Sequence, residues 1–287
     1  MSISVRSSLV IAAVALIGMT TAARAEWLAP LTVETAETLP SGQIDIALGA
    51  SYFHNLRFPA FTPPGFILWQ DLTAVPQMAL RAAVGSRVEI QVSYELLDLS
   101  ENTTDGPHHT YGGGDARIFT KIYAVRENTW STWMPGLGVD FGTKLPDANR
   151  AERLGTDETD FFIQWLASKH IGDFGLHLNL GLALLGNPTG DGQDDLFTYA
   201  VGVVTPTLGA HEPGQWGVRF LADVAGTAGS RFSNDGTEIR GGLQVVYDGL
   251  TLYAGVGGGL SGAAEDYGFM GGVIYAFDVE RVTSLFE

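Results

Sequence analysis

The chain has 287 residues, 45% of them hydrophobic and 17% charged, with 37 glycines, no cysteine and a formal charge of −16. Such a sequence is too apolar and aromatic for a disordered acidic chain, and without cysteine it has no disulfide framework, thiolate metal cluster or cysteine nucleophile. The acid excess argues against nucleic acid as a partner, which requires basic stripes, whereas low charge beside high glycine suits a β-protein whose strands face lipid on one side.

The first 25 residues read as a cleaved export signal. Arg6 supplies a basic start, residues 9–19 (LVIAAVALIGM) an apolar run, and Ala23-Arg24-Ala25 a small-x-small cleavage pattern before Glu26. The apolar run is shorter than the ~20 residues of a spanning helix. Removing Arg6 and Arg24 takes the charge from −16 to −18. Residues 26–41 are expected to form a short periplasmic lead, and residues 42–287 a single barrel domain.

From Gly42 to Phe277 the chain alternates with period two, in segments of about ten residues, the length of tilted membrane-spanning strands. The predicted segments are 42–53, 71–84, 87–97, 114–125, 133–143, 159–171, 174–185, 195–208, 216–226, 238–247, 250–260 and 267–277. In FGLHLNLGLALL, Phe174 and Leu176, Leu178, Leu180, Leu182 and Leu184 share one face. A helix would scatter them around its circumference.

Every second connection is short: Gly85-Ser86, 126–132, Gly172-Asp173, 209–215 and Asp248-Gly249, the last a strong hairpin signal. The intervening links 54–70, 98–113, 144–158 and 186–194 are mostly longer. Short turns at one rim and long loops at the other predict an all-β fold: a transmembrane antiparallel up-and-down β-barrel of about 12 strands in the bacterial outer membrane, with both termini periplasmic. Tyr52, Trp69, Trp133, Trp165, Trp216, Tyr247, Tyr275 and Phe277 stand near segment ends, as an interfacial girdle requires. The last strand ends Tyr-x-Phe at Tyr275 and Phe277, like the terminal strands read by the barrel assembly machinery, although ten residues follow it.

Assigning the more apolar parity to lipid leaves a list of candidate pore-lining residues. The acids are Asp45, Glu89, Glu95, Asp115, Asp140, Asp223 and Glu238; the bases are Arg81, Arg117, Lys121, Arg219 and Arg240. Gln164, His177 and Asn179, with Gln91, His170 and Gln244, add neutral polarity. Lysine or arginine turned to the lipid midplane would cost about 2–4 kcal/mol each. The near balance of sign leaves two pictures open: charges paired across a closed lumen, or a narrow polar path with a transverse field.

GGGDARIFTKIYAV at 112–125 resembles a strand of a family of Gram-negative outer-membrane barrels labelled as transporters or phenol-degradation meta-pathway proteins. The resemblance rests on Gly114, Asp115, Lys121 and Tyr123, with Ile122 inserted into what is often a Lys-Tyr pair. The following GVDFGTKLPDANRAERLGTDETDF is similar to that family's strand and loop, departing from it at Pro146-Asp147-Ala148; Ser168-Lys169, Asn179 and Gly181 also fit. The resemblance covers roughly 110–190 and implies a barrel that takes up hydrophobic or aromatic compounds.

Catalytic and metal readings have less behind them. His177 and Asn179 share a face but no Ser follows in His-x-Ser form, and Ser233-Asn234 lies in a loop with no His nearby in sequence. His108-His109 lacks further ligands, and Asp191, Asp194 and Asp195 match no EF-hand spacing. No cofactor, metal or enzymatic turnover is therefore expected. The expected function is a passive channel for small solutes, with lipid, lipopolysaccharide and the barrel assembly machinery as partners. A closed surface-interaction barrel acting through acidic loops is the alternative, and a membrane-embedded lipid hydrolase the third.

Overall fold

A computed structural model describes residues 27–57, 69–103, 106–152, 154–187, 195–209, 214–229, 235–262 and 264–278. The expected export signal, Glu26, Asp191, Asp194, Ser233-Asn234 and the tail after Asp278 lie outside the described residues.

The periodicity produces strands β1 (Gln43–Arg57), β2 (Trp69–Val84), β3 (Val88–Thr103), β4 (Gly106–Gly113), β5 (Arg117–Val125), β6 (Gly136–Lys144), β7 (Asp160–Ile171), β8 (Phe174–Leu184), β9 (Leu196–Val204), β10 (Gly217–Ala228), β11 (Thr237–Tyr247), β12 (Leu250–Gly259) and β13 (Tyr267–Asp278). Neighbours pair antiparallel, and β1 pairs with β13 from Gln43↔Asp278 to His54↔Tyr267, which closes the sheet and abolishes its edges. β4 and β5 both pair along β3, β4 against Leu96–Thr103 and β5 against Val88–Ser93. They are two pieces of one staggered strand, so the closed barrel has twelve staves.

The predicted fourth segment, 114–125, is thus only the lower piece, and 98–113 is not a loop. Leu96 to Thr103 and Gly106 to Gly113 form a tall hairpin instead. The ladder breaks at Gly114–Ala116, where the amide of Gly114 donates to the Glu95 carbonyl (2.9 Å) and that of Ala116 to Asp147 Oδ1 (2.8 Å).

β8 shows the expected alternation without exception, its odd partners buried and Leu176, Leu178, Leu180, Leu182 and Leu184 each 38–46% exposed on the outer wall. Similar large side chains cover that wall elsewhere, among them Leu48, Phe141, Val201, Phe220 and Val256. A soluble domain does not present a continuous belt of this kind. Aromatics cluster near its margins: Trp216 stacks on Tyr247 (centroids 4.5 Å apart) and Tyr275 meets Phe277 edge-on. Trp130 and Trp133, in the β5–β6 turn, are 74% and 82% exposed.

The short turns share one rim with Gln43 and Asp278. Asp248 and Gly249 both have positive φ (39° and 85°), the conformation of a two-residue hairpin turn matched to strand twist. At the opposite rim the 145–159 connection, which carries a short 3₁₀ turn (Arg150–Glu152), folds back over the mouth. Its Ala148 and Leu154 are buried with Leu72, Ala74, Leu97 and Leu99.

The lead from 27 to 41 does not stand apart from the barrel: it runs through the lumen, in the half nearer the short turns. Leu28 and Val33 are buried against the inward residues Ala200, Val204, Leu221 and Ala225, and Ala36 against Tyr123 and Leu166. In water these side chains and an irregular backbone would gain nothing. Inside, they bury apolar area at about 25 cal/mol per Å² and find fixed hydrogen-bond partners.

Candidate functional site

Inward glycines make room for the lumenal segment. A Cβ on Gly255 would lie 2.2 Å from Pro30 Cγ, and one on Gly202 would lie 2.5 Å from Val33 Cγ1. The backbone groups of the segment have no ladder of their own, so wall side chains satisfy them. The amides of Thr32 and Val33 donate to Asp223 Oδ2 (2.7 and 2.8 Å), that of Glu34 to Asn179 Oδ1 (2.8 Å), that of Ala36 to Ser168 Oγ (2.8 Å) and that of Leu39 to Glu89 Oε2 (2.9 Å). Gln244 Nε2 donates to the carbonyls of Trp27 and Ala29, and Asn179 Nδ2 to that of Glu34.

Glu34 is the electrostatic centre of this contact. Its carboxylate takes one bond from Arg81 Nη2 and another from Lys121 Nζ (3.2 Å). Lys121 is completely buried and also lies 3.6 Å from Glu89. Cross-strand register explains the grouping: Glu89, Lys121, Asp140 and Gln164 stand directly opposite one another across β3, β5, β6 and β7. Arg81 adds its cation from β2 and packs its guanidinium over the Trp27 ring, 4.0 Å from the centroid.

The other predicted lining residues form smaller groups. Asp45 accepts from Gln43 (2.7 Å), Glu95 from Gln77 (3.1 Å) and Gln244 Oε1 from Arg219 Nε (2.7 Å). Arg240 pairs with Glu238 (2.8 Å), whose carboxylate also receives the Thr32 hydroxyl (3.0 Å). Asp115 meets Lys144 (3.2 Å), which pairs in turn with Asp160 (2.8 Å). Arg117 faces the lumen and stays exposed.

Glu34, Ser168, Lys144 and Asp160 were absent from the predicted lining. Glu34 belongs to a segment without strand periodicity, Lys144 opens the predicted 144–158 connection, and Asp160 lies at the start of a predicted strand. The one available signal was the run of apolar residues Leu28, Leu31, Val33 and Leu39 in a lead expected to be bathed in water.

Ser168 Oγ lies 2.9 Å from His177 Nδ1, a pairing the sequence reading did not find. Both are buried under the lumenal segment, and the hydroxyl already accepts the Ala36 amide. Any ester would have to displace that segment to reach the oxygen.

A chamber remains between the lumenal segment and the β1–β5 wall. One cavity of about 210 Å³ is lined by Trp27, Gln77, Glu95, Asp115, Arg117 and Tyr253, among others. A second, of about 200 Å³, is bounded by Trp27, Glu34, Arg81, Gln91 and Phe119.

Outside the strands, Glu265 in the 260–266 loop is buried, and burial together with Glu238 pushes its carboxyl up to about 7. A carboxyl raised in the folded state favours loop packing below its ordinary range, and that support is lost as pH rises through about 7. Amide exchange in 259–266, corrected for intrinsic rate, should therefore quicken between about pH 5 and 7, and level off above that, by more than in Glu265→Gln, whose profile should stay flat. Identical profiles would refute the assignment.

No family model and no curated protein sequence matches the chain. Solved structures do. An outer-membrane channel from Pseudomonas putida F1 aligns with a TM-score of 0.59 at 16% identity, over 84% of this chain and 98% of that one. The β-domain of the Bordetella autotransporter BrkA aligns at 0.55 and 11% identity, over 83% and 100%. The translocator domain of the autotransporter NalP from Neisseria meningitidis gives 0.50 and 12%, over 82% and 88%. At such identities the likeness shows the fold: a closed twelve-stranded barrel shared with outer-membrane proteins.

Proposed function

We propose that the chain is a passive outer-membrane channel for small solutes, with the short-turn rim in the periplasm and residues 27–41 forming its constriction. The observation that carries this reading is the lumen itself. A chamber lined by both rings and charges is separated from the periplasmic rim by a segment held through hydrogen bonds, ion pairs and packing against the wall. A barrel meant only as a membrane staple has no need of such a chamber, whereas a diffusion path needs a polar wall and a removable barrier.

Trp27 and Tyr253 line the first cavity together with Arg117, Glu95 and Asp115, and Phe119 lines the second. This combination suits a small amphiphilic or aromatic solute, as does the resemblance of 112–125 to the transporter and phenol-degradation family. The fold likeness to an outer-membrane channel of P. putida agrees with the channel reading. The Ser168–His177 pair is read as an anchor for the segment and not as a nucleophile and base, because its oxygen is already engaged.

Single-channel recording of the refolded barrel in planar bilayers tests the proposal. Discrete openings blocked by a small aromatic acid or amine are expected, and Arg117→Ala should shift reversal potentials towards cation preference. A folded barrel that is silent both as wild type and without residues 27–39 would overturn it. The narrowing of the lumen by this segment at one end and the packing of Ala148 and Leu154 from the 145–159 loop at the other favour a second reading as a closed surface-interaction barrel, which that silence would support.

A further inference from the structure

At the periplasmic rim the lumenal segment meets the β5–β6 turn and the end of β7. Glu37 from the segment, Glu127 from the turn and His170 from β7 each present a ligand atom, and these atoms all lie within 4.8 Å of one another. We propose that these three residues form a site for a divalent transition-metal ion, of which zinc is the representative, and that the ion latches the lumenal segment to the barrel wall.

The first support is an unfinished bond. Glu37 is 7% exposed; Oε2 takes the Thr35 hydroxyl, while Oε1 is buried and has no hydrogen-bond partner. A buried carboxylate oxygen left unpaired is costly, and a cation between the three side chains removes that cost. The second support is the existing orientation of the other two ligands. Glu127 already holds His170 beside it through both its backbone amide (3.0 Å) and ring Nδ1 (2.7 Å), so the carboxylate and imidazole stand side by side and an ion bound between them would replace the proton they share.

Lys169 does not block the site. Its ammonium donates to Glu127 Oε1 (2.8 Å) but also to Asn128 Oδ1 and the Thr132 carbonyl (2.7 Å each), so it keeps two acceptors if Glu127 turns to an ion. Ligands at about 2.0–2.2 Å from zinc stand roughly 3.5 Å apart, and side-chain rotation covers the difference from the present spacing. Two carboxylates with one imidazole favour zinc-like ions over calcium or magnesium, which take oxygen ligands alone. Glu37 comes from the lumenal segment, so an ion here would hold that segment in place. The site follows from the geometry whether or not the barrel conducts.

Isothermal titration of Zn²⁺ into untagged, metal-stripped, refolded protein is the test, with Glu37→Gln and His170→Gln alongside. Heat-modifiable gel mobility confirms that each variant is folded, and His108→Ala/His109→Ala removes the competing surface pair. One equivalent should bind to the wild type and to the His108/His109 variant, with affinity at least roughly tenfold weaker in Glu37→Gln and His170→Gln, the range seen when metal-site partners are lost. Zinc should also slow amide exchange across residues 34–39 in the wild type but not in Glu37→Gln. Absence of binding, undiminished affinity in folded Glu37→Gln, or loss of binding only in the His108/His109 variant would each overturn the proposal.

Discussion

Deleting residues 27–39 from the mature barrel is expected to turn a mostly closed lumen into a persistently open one, seen as a large rise in open probability and unit conductance in planar bilayers. The wall itself should survive the deletion, since strand pairing closes it through β1 and β13 without the segment and the outer apolar belt does not touch the segment. Heat-modifiable mobility should therefore be retained. Glu34→Ala is the sharper version of the experiment. It removes the carboxylate shared by Arg81 and Lys121 and leaves the two buried cations with Glu89 as their one remaining ion-pair partner among the described residues. Breaking a buried pair in this way costs about 3–5 kcal/mol, and the lower end applies because the Glu34 side chain retains 25% exposure. At about 1.4 kcal/mol per decade, the ratio of undocked to docked segment should rise roughly a hundredfold. If neither variant raises conductance while both remain folded, the segment is not the barrier.

How much of this was legible in the sequence depended on whether a residue obeyed a period. Leu176 to Leu184 could be assigned to the outer wall because strand alternation is local and needs no knowledge of neighbours. Asp248-Gly249 marked its hairpin because only a few residue pairs tolerate two positive φ values in succession. Once parity was chosen, Lys121, Glu89 and Asp140 fell inward. Their meeting in one row could not be read, because it depends on register between three strands far apart in sequence.

The break at Gly114–Ala116 was hidden for a related reason. It is imposed from outside the strand, by Asp147 capping the Ala116 amide and by Asp115 turning to the amide of Ala148. The lumenal segment was the least visible part. Its structure is dictated by amides answering to Asp223, Asn179, Ser168 and Glu89, up to 191 residues away, and no local pattern encodes such partners.

Lys121→Met provides the second large effect, and it separates the wall from the segment. Lys121 is wholly buried, 3.2 Å from Glu34 and 3.6 Å from Glu89, and directly opposite Asp140 on the adjoining strand. Methionine keeps most of the volume but leaves Glu34 and Glu89 to share the Arg81 guanidinium, with Asp140 unanswered. Loss of one partner from such a group costs about 3–5 kcal/mol, so the midpoint of denaturant unfolding in detergent should fall clearly below that of wild type. The companion change Glu89→Gln removes one of the stranded acids, so the double variant should recover part of the loss. A coupling energy between the two sites of roughly 1–3 kcal/mol is the expected signature of contact. Strictly additive effects would mean that Lys121 answers to Glu34 alone. In that case Lys121→Met should lose its penalty once residues 27–39 are deleted. If the row is a property of the wall, the penalty persists in the deleted barrel, because Glu89 and Asp140 remain on their strands with no lysine between them.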